Sequence, residues 1–165
     1  MSDRLFPTAL SALADDIKEI FTCRHLTLST AESCTGGLIG GLLTALPGSS
    51  GYYLGGVISY ANAVKEGLLG VPGTVLETVG AVSEETAIAM AKGAQSALHS
   101  DYALSVTGIA GPGGGSEKKP VGTVWIGLAT PDGVTARRFL FSGDREEVRL
   151  ATVGAALTWL RDEMN

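Results

Sequence analysis

The sequence contains few of the residues from which metal and redox sites are built. Two cysteines, Cys23 and Cys34, and two histidines, His25 and His99, occur in its 165 residues. The cysteines lack metal-ligand spacing and form no disulfide framework, and two histidines do not complete a zinc or iron cluster. These absences predict a site that works without a metal ion or a cofactor.

Excess positive charge and long apolar segments are also absent. The 17 acidic residues outnumber 12 basic ones, which argues against a nucleic-acid surface. Residues 33–64 carry no formal charge, but Pro47 interrupts them, and the apolar run 38–46 is far shorter than the roughly 20 residues that span a bilayer. The acidic N-terminal segment lacks a signal-peptide pattern. We therefore predict a cytoplasmic protein that binds neither nucleic acid nor membrane.

The order of helical and strand patterns predicts the fold class. Helical patterns alternate with strand patterns early, and a hairpin follows late, which indicates one domain over residues 1–165: an α/β protein with a three-layer α/β/α sandwich and a mixed β-sheet. The predicted helices are 7–21, 36–46, 62–69 (with Asn62 as its cap), 72–79, 83–99 and 144–163, and the predicted strands are 26–30, 55–60, 102–106, 122–130 and 134–141.

A serine stands at the first predicted strand-to-helix junction, within residues 30–37. Such a junction directs backbone N–H groups and the positive end of a helix dipole at one point. Ser33 is therefore a candidate nucleophile, and Thr35 and Gly36 beside it are candidate substrate-binding residues. The alternative is that Ser33 or Thr35 simply caps the helix.

A lysine on an apolar helix face is the second unusual feature. Lys65 shares a face with Ala61, Leu68 and Leu69. It either extends its amine to solvent or is desolvated, which lowers its pKa and makes it a base. Tyr60, which ends the preceding predicted strand, could relay a proton or merely pack.

Two further features favour an anionic ligand. A glycine-rich loop over residues 107–116 includes Thr107 and Gly108 and matches neither a Walker A motif nor a dinucleotide fingerprint. It is either a backbone nest for a phosphate or an oxyanion, or a flexible surface loop. Arg145, in the first turn of the last predicted helix, opposes the helix dipole and so suggests a bound anion. Arg149, one turn on, shares that anion or is solvated.

Six ordered motifs then carry a resemblance to a known family. They are Ala31-Glu32-Ser33-Cys34-Thr35-Gly36-Gly37, Ser59-Tyr60-Ala61-Asn62-x-x-Lys65, Gly80-Ala81-Val82-Ser83, Thr107-Gly108-Ile109-Ala110-Gly111-Pro112, Lys119-Pro120-Val121-Gly122-Thr123-Val124 and Gly143-Asp144-Arg145. From about Leu5 onward, the chain resembles the CinA C-terminal domain family, whose characterised members are nicotinamide-nucleotide amidases.

The resemblance implies hydrolysis of nicotinamide mononucleotide to nicotinic acid mononucleotide and ammonia. It implies Ser33 as nucleophile, Lys65 as base and Tyr60 as the accompanying tyrosine, with Thr107 and Arg145 at the active site. Full-length members carry a further N-terminal domain, so the short chain resembles the stand-alone form. We also expect a homo-oligomer, specifically a dimer.

Two alternatives stay open. The chain could be a non-catalytic module that binds or senses pyridine nucleotides, although the retained serine, tyrosine and lysine favour an enzyme. A DNA-associated role in competence fits the family's historical name but not the acidic charge balance.

Overall fold

The fold is a five-stranded mixed sheet between two helical layers. The computed structural model describes residues 5–165. The helices are α1 (Thr8–Cys23), α2 (Leu38–Thr44), α3 (Asn62–Leu69), α4 (Gly73–Thr78), α5 (Glu84–Leu98) and α6 (Arg145–Met164), and the strands are β1 (Leu28–Glu32), β2 (Tyr53–Ile58), β3 (Tyr102–Gly108), β4 (Thr123–Thr130) and β5 (Gly133–Leu140).

The sheet order is β2-β1-β3-β4-β5. Strand β1 runs parallel to both neighbours, whereas β4 runs antiparallel to β3 and β5. Helices α1, α2 and α6 pack together on one face, and α5 covers the other with α3 and α4 against it. The predicted three-layer sandwich with a mixed sheet is therefore confirmed.

The larger part of the core lies between the sheet and the α1/α2/α6 layer. Ile17 and Phe21 of α1 and Leu157 and Leu160 of α6 are fully buried there. A smaller cluster, which includes Met90, lies under α5. Because the interior strand β1 is covered on both faces, all five of its residues are buried, so its polar side chains need hydrogen-bond partners within the protein.

Capping residues fix the starts of the two longest C-terminal helices. Ser83, the first residue of the predicted helix 83–99, accepts from the Thr86 N–H at 3.2 Å at the start of α5. Asp144 begins α6 with a capping box, in which its side chain accepts from the Glu147 N–H and its own N–H donates to Glu147. The prediction that Asn62 caps α3 is wrong, because Ala61 takes that position and makes no side-chain cap bond.

The first two strands begin and end at different residues from those predicted. Strand β1 ends at Glu32, so Ser33 follows it directly, and α2 begins only at Leu38. Gly36 (φ +59°) and Gly37 (φ +101°) lie in the left-handed region that glycine favours, which delays the helix. Tyr60 does not end β2, which stops at Ile58; it lies in the turn before α3.

This topology creates a crevice at the carboxyl end of β1. The chain leaves β1 to form β2 on one side, and β3 later pairs on the other side. In open α/β sheets, ligands bind where connections diverge in this way, outside the carboxyl ends of the strands. No helix within residues 5–165 is long and apolar enough to cross a membrane.

Candidate active site

A serine that follows β1 and a lysine from α3 meet in this crevice. The Nζ atom of Lys65, in α3, lies 2.9 Å from the Oγ atom of Ser33. The Ser33 N–H donates to the carbonyl of Val106 on β3 at 3.0 Å, which fixes the serine backbone to the sheet. The structure therefore brings together the predicted nucleophile and the predicted base.

Lys65 is buried and surrounded by three oxygen atoms. Its side chain is 1% exposed, so it does not extend to solvent. Besides Ser33 Oγ, its Nζ lies 2.7 Å from the carbonyl oxygen of Ser59 and 3.1 Å from that of Tyr60. A neutral amine satisfies all three, because its two N–H groups donate to the carbonyls and its lone pair accepts from the Ser33 hydroxyl.

Burial also favours the neutral amine. Desolvation lowers the pKa of Lys65 from its ordinary value of 10.5, because the charged form loses its hydration in the crevice. A lowered pKa and a hydrogen bond to a serine hydroxyl are the two properties required of a lysine that activates a nucleophile.

Tyr60 approaches the crevice differently from the prediction. Its side chain is 62% exposed, and its hydroxyl accepts from Arg145 Nη2 at 3.1 Å. Only its backbone carbonyl contacts Lys65. The phenolic proton remains available for donation, but neither Ser33 nor Lys65 bonds to the hydroxyl.

A carboxylate accepts hydrogen bonds from the N-terminus of α2, so this helix end does not serve Ser33. Glu32 is 2% exposed, and its carboxylate accepts from the N–H groups of Ile39 (2.8 Å) and Gly40 (3.0 Å). It also accepts from the Thr35 hydroxyl at 2.6 Å. The prediction that the positive end of this helix dipole serves Ser33 is therefore wrong, because Glu32 neutralises it. Capping by Ser33 or Thr35 is wrong too, since Gly37 is the N-cap residue and makes no side-chain bond.

Thr35 and Gly36 lie behind the crevice and not on its surface. The Thr35 hydroxyl is committed to Glu32, and neither residue lines the crevice. The carbonyls of Cys34 and Thr35 face α6, where Arg149 Nε donates to the Cys34 carbonyl (3.1 Å) and Nη2 donates to the Thr35 carbonyl (3.0 Å). Arg149 is half-buried, bonds to these backbone carbonyls and does not line the crevice, so the interpretation that it shares an anion there with Arg145 is wrong.

Cys34 follows Ser33 and is buried. Burial raises the pKa of its thiol to about 11, so near neutral pH the thiol is protonated and a weak nucleophile. The N–H groups of Cys34 and Thr35 donate to no oxygen within residues 5–165. They are the two backbone N–H groups that directly follow Ser33 in the chain.

The glycine-rich loop closes the other side of the crevice. Thr107 and Gly108 belong to the end of β3, and the Thr107 hydroxyl donates to the Ala81 carbonyl at 2.8 Å. A Cβ atom on Gly108 would lie 2.6 Å from Val124 Cγ2, so glycine is required there for the approach of β4. Arg145 Nη1 donates to the Gly111 carbonyl at 2.7 Å and thereby lies across the loop.

The crevice is a cleft of about 290 Å³. Its lining includes the predicted Ser33, Tyr60, Lys65, Thr107, Gly108 and Arg145, together with Cys34, Asn62, Ala81, Ile109, Ala110, Gly111, Gly113 and Gly114. Asn62 was interpreted only as a helix cap, although an amide two residues after the tyrosine and three residues before the lysine was a signal for a site. Within the described residues, no group of three or more His, Cys, Asp or Glu side chains could hold a metal ion.

Comparison with known proteins places this geometry in a family. The family described as CinA C-terminal domain matches residues 10–164. A CinA-like protein from Geotalea daltonii is 51% identical over 164 residues, which cover 99% of this chain and 40% of that protein. A CinA-like protein from Geobacter metallireducens is 52% identical over 145 residues, 88% of this chain and 35% of that protein. The chain thus spans about two fifths of the length of these curated relatives.

Solved structures agree in fold. The competence/damage inducible protein CihA from Agrobacterium tumefaciens superposes with a TM-score of 0.94 at 46% identity, over 100% of this chain and 99% of that chain. A CinA superfamily protein from Escherichia coli superposes with a TM-score of 0.89 at 33% identity, over 95% and 92% of the two chains. The sequence motifs, the fold and these matches lead to one conclusion: the chain belongs to the CinA C-terminal domain family.

Proposed function

We propose that the chain is a nicotinamide-nucleotide amidase, which hydrolyses the carboxamide of nicotinamide mononucleotide to nicotinic acid mononucleotide and ammonia. One observation carries the proposal: a buried lysine amine lies 2.9 Å from a serine hydroxyl, and both line a cleft that also contains an arginine. A serine–lysine pair is a known arrangement for acyl transfer, and the arginine suits an anionic substrate.

The first half of the reaction acylates Ser33. Neutral Lys65 takes the hydroxyl proton while Ser33 Oγ attacks the carboxamide carbon. The carbonyl oxygen becomes negatively charged, and the free N–H groups of Cys34 and Thr35 are the nearest backbone donors for it. The cationic pyridinium ring makes the carboxamide more electrophilic, and its charge further lowers the pKa of Lys65.

Ammonia then leaves, and water completes the reaction. The C–N bond breaks as Lys65 returns its proton to the departing nitrogen, because the amide nitrogen leaves only once this proton converts it to neutral ammonia. The phenol of Tyr60 is a second proton donor at the mouth of the cleft. Lys65, neutral again, activates a water molecule that hydrolyses the acyl-enzyme and regenerates Ser33.

The other side of the cleft suits the 5′-phosphate. Arg145 reaches across the loop to Gly111, and the N–H groups of Ala110, Gly111, Gly113 and Gly114 donate to no acceptor within residues 5–165. Free N–H groups in a glycine-rich turn form a concave anion site. Together with Arg145, they offer charge-assisted hydrogen bonds to a phosphate.

The decisive experiment measures ammonia release from nicotinamide mononucleotide by the purified protein, with and without a chelator. We expect ammonia and nicotinic acid mononucleotide in equal amounts, unchanged by the chelator. Saturable binding without ammonia would instead support the alternative, a non-catalytic pyridine-nucleotide-binding module. Activity lost to the chelator and restored by a metal would overturn the serine–lysine mechanism.

The cytoplasmic location and the homodimer stay predictions, and sedimentation velocity tests the latter.

A further inference from the structure

Arg149 contacts the backbone of the nucleophile loop from outside the cleft. It lies one turn after Arg145 on α6, but it does not line the cleft that contains Ser33 and Lys65. Its Nε and Nη2 atoms donate to two successive carbonyls, those of Cys34 and Thr35. A guanidinium is a planar, rigid fork, so these two bonds fix the relative orientation of the two peptide groups.

The second of these contacts continues to the nucleophile itself. The Thr35 carbonyl belongs to the same peptide group as the Gly36 N–H, and that N–H donates back to the Ser33 carbonyl at 3.0 Å. The hydrogen-bond chain therefore runs from Arg149 through one peptide group to Ser33. Hydrogen bonds in such a chain polarise and strengthen one another.

The chain of bonds also sets the direction of the nearest free donor. The Ser33 carbonyl belongs to the same peptide group as the Cys34 N–H, and this peptide bond is trans. In a trans peptide the C=O and N–H groups point to opposite sides. A fixed Ser33 carbonyl therefore fixes the Cys34 N–H, which donates to no oxygen in the described part of the chain.

We propose that Arg149 is a positioning residue for the nucleophile loop: it holds the peptide groups after Ser33 so that the serine hydroxyl and the Cys34 N–H keep the geometry that acyl transfer needs. This inference rests on the proposed function and assigns Arg149 no contact with substrate. The two arginines of α6 thus have separate tasks, Arg145 toward the ligand and Arg149 toward the backbone.

The test compares Arg149→Met, Arg149→Lys and Arg149→Ala with the wild type. Because displacement of a reacting group by about 1 Å costs about 100-fold in rate, we expect the methionine variant to lose about 100-fold in kcat, with KM within about threefold of wild type. The lysine variant keeps the charge but cannot form the fork, so its kcat should also fall. Added guanidinium ion should restore part of the kcat of the alanine variant.

Arg161→Met is the matched control. Arg161 lies on the same helix, and its contacts are a 3.3 Å ion pair with Asp16 of α1 and a contact with the adjacent Asp162. Its loss should leave kcat unchanged. A second readout needs no substrate: the rate at which a fluorophosphonate labels Ser33 should fall in the Arg149 variants and stay unchanged in the control.

The outcomes separate this inference from the proposed function. If the wild type releases no ammonia but Arg149 still controls fluorophosphonate labelling, the amidase proposal fails and the positioning role stands. Unchanged kcat and labelling overturn the positioning role. So does a rise in KM alone, or activity that falls only in proportion to the fraction of unfolded protein in thermal melts.

Discussion

Arg145 and Tyr60 are joined by a hydrogen bond of 3.1 Å between Nη2 and the phenolic oxygen. The bond connects the start of α6 to the turn after β2, across the mouth of the cleft that contains Ser33. Both side chains are exposed at this point, so a ligand can reach them from solvent. The pair therefore lies where the non-reacting part of a substrate would be recognised.

Replacing Arg145 tests phosphate recognition. Arg145→Ala should raise KM for nicotinamide mononucleotide by about 10- to 150-fold, because a hydrogen bond to a charged group contributes about 1.5–3 kcal/mol. The weak activity on the nucleoside without phosphate should change much less. Steady-state kinetics on both substrates provide the measurement, with Arg161→Ala as control. Equal losses on the two substrates would assign Arg145 to the fold or to the transition state.

Replacing Ser33 tests the nucleophile. Ser33→Ala should abolish ammonia release yet change the free energy of unfolding by no more than about 1 kcal/mol, the usual contribution of one hydrogen bond. Binding of nicotinamide mononucleotide, measured by calorimetry, should persist because the hydroxyl does not contact the phosphate. Ser96→Ala, an exposed serine on α5, should be fully active. Substantial turnover by Ser33→Ala would refute nucleophilic catalysis by this residue.

The activity should rise with pH. Only the neutral amine of Lys65 can accept the serine proton, and burial lowers its pKa below 10.5. The pH profile of kcat/KM should therefore rise through a midpoint below 10.5. Cys23→Ser, at an exposed cysteine that does not line the cleft, should keep that midpoint. A flat profile that Lys65→Met leaves unchanged would contradict the assignment of Lys65 as base.

The free energy of unfolding should depend on pH through the same lysine. Between the lowered pKa of folded Lys65 and 10.5, the unfolded chain binds a proton that the folded chain does not, so the free energy of unfolding gains a contribution that rises with pH. Lys65→Met should lose that contribution and at least about 100-fold in rate.

Urea unfolding of the wild type and Lys65→Met at several pH values provides the measurement. The difference between the two proteins isolates Lys65, because Cys34 and the buried tyrosines titrate in both. Lys65→Met also leaves the carbonyls of Ser59 and Tyr60 without their donor, which offsets part of the benefit of removing a buried amine. Parallel curves for the two proteins would show that Lys65 titrates normally.

Glu32 should contribute to stability through α2. Its two oxygen atoms accept three hydrogen bonds, and glutamine at this position keeps one acceptor oxygen while adding a donor. Glu32→Gln should therefore lower the free energy of unfolding by about 1–3 kcal/mol. Glu19→Gln, on the exposed face of α1, is the control and should change it little. Equal effects of the two substitutions would mean that the carboxylate does not anchor the helix.

Local sequence patterns predicted most of the architecture. The range 62–69 of α3 agrees with the structure, and Ser83 and Asp144 cap the helices they were predicted to begin. These features depend on hydrogen bonds between residues a few positions apart, so the sequence is enough to determine them. The limits of β1 and β2 were less accurate, because the point where a strand ends depends on its partner strands.

The sequence likewise identified some residues of the candidate site and missed the roles of others. The sequence, through its motifs, singled out Ser33, Lys65, Tyr60 and Arg145, whose chemistry is visible in their residue type and neighbours. The roles of Glu32 and Arg149 were missed, because each acts on backbone groups: Glu32 on a helix start 7 and 8 residues away, and Arg149 on carbonyls 114 and 115 residues away.

The sequence by itself determined which side chains are candidates for acyl transfer and on which local elements they lie. Only the tertiary structure decided that Lys65 is buried against Ser33 and that the Glu32 carboxylate binds the N-terminus of α2. It also decided that Arg149 bonds to the backbone directly after Ser33. The physical reason is that burial and long-range hydrogen bonds arise from the packing of β1, α3 and α6 around one crevice, which no local stretch of sequence encodes.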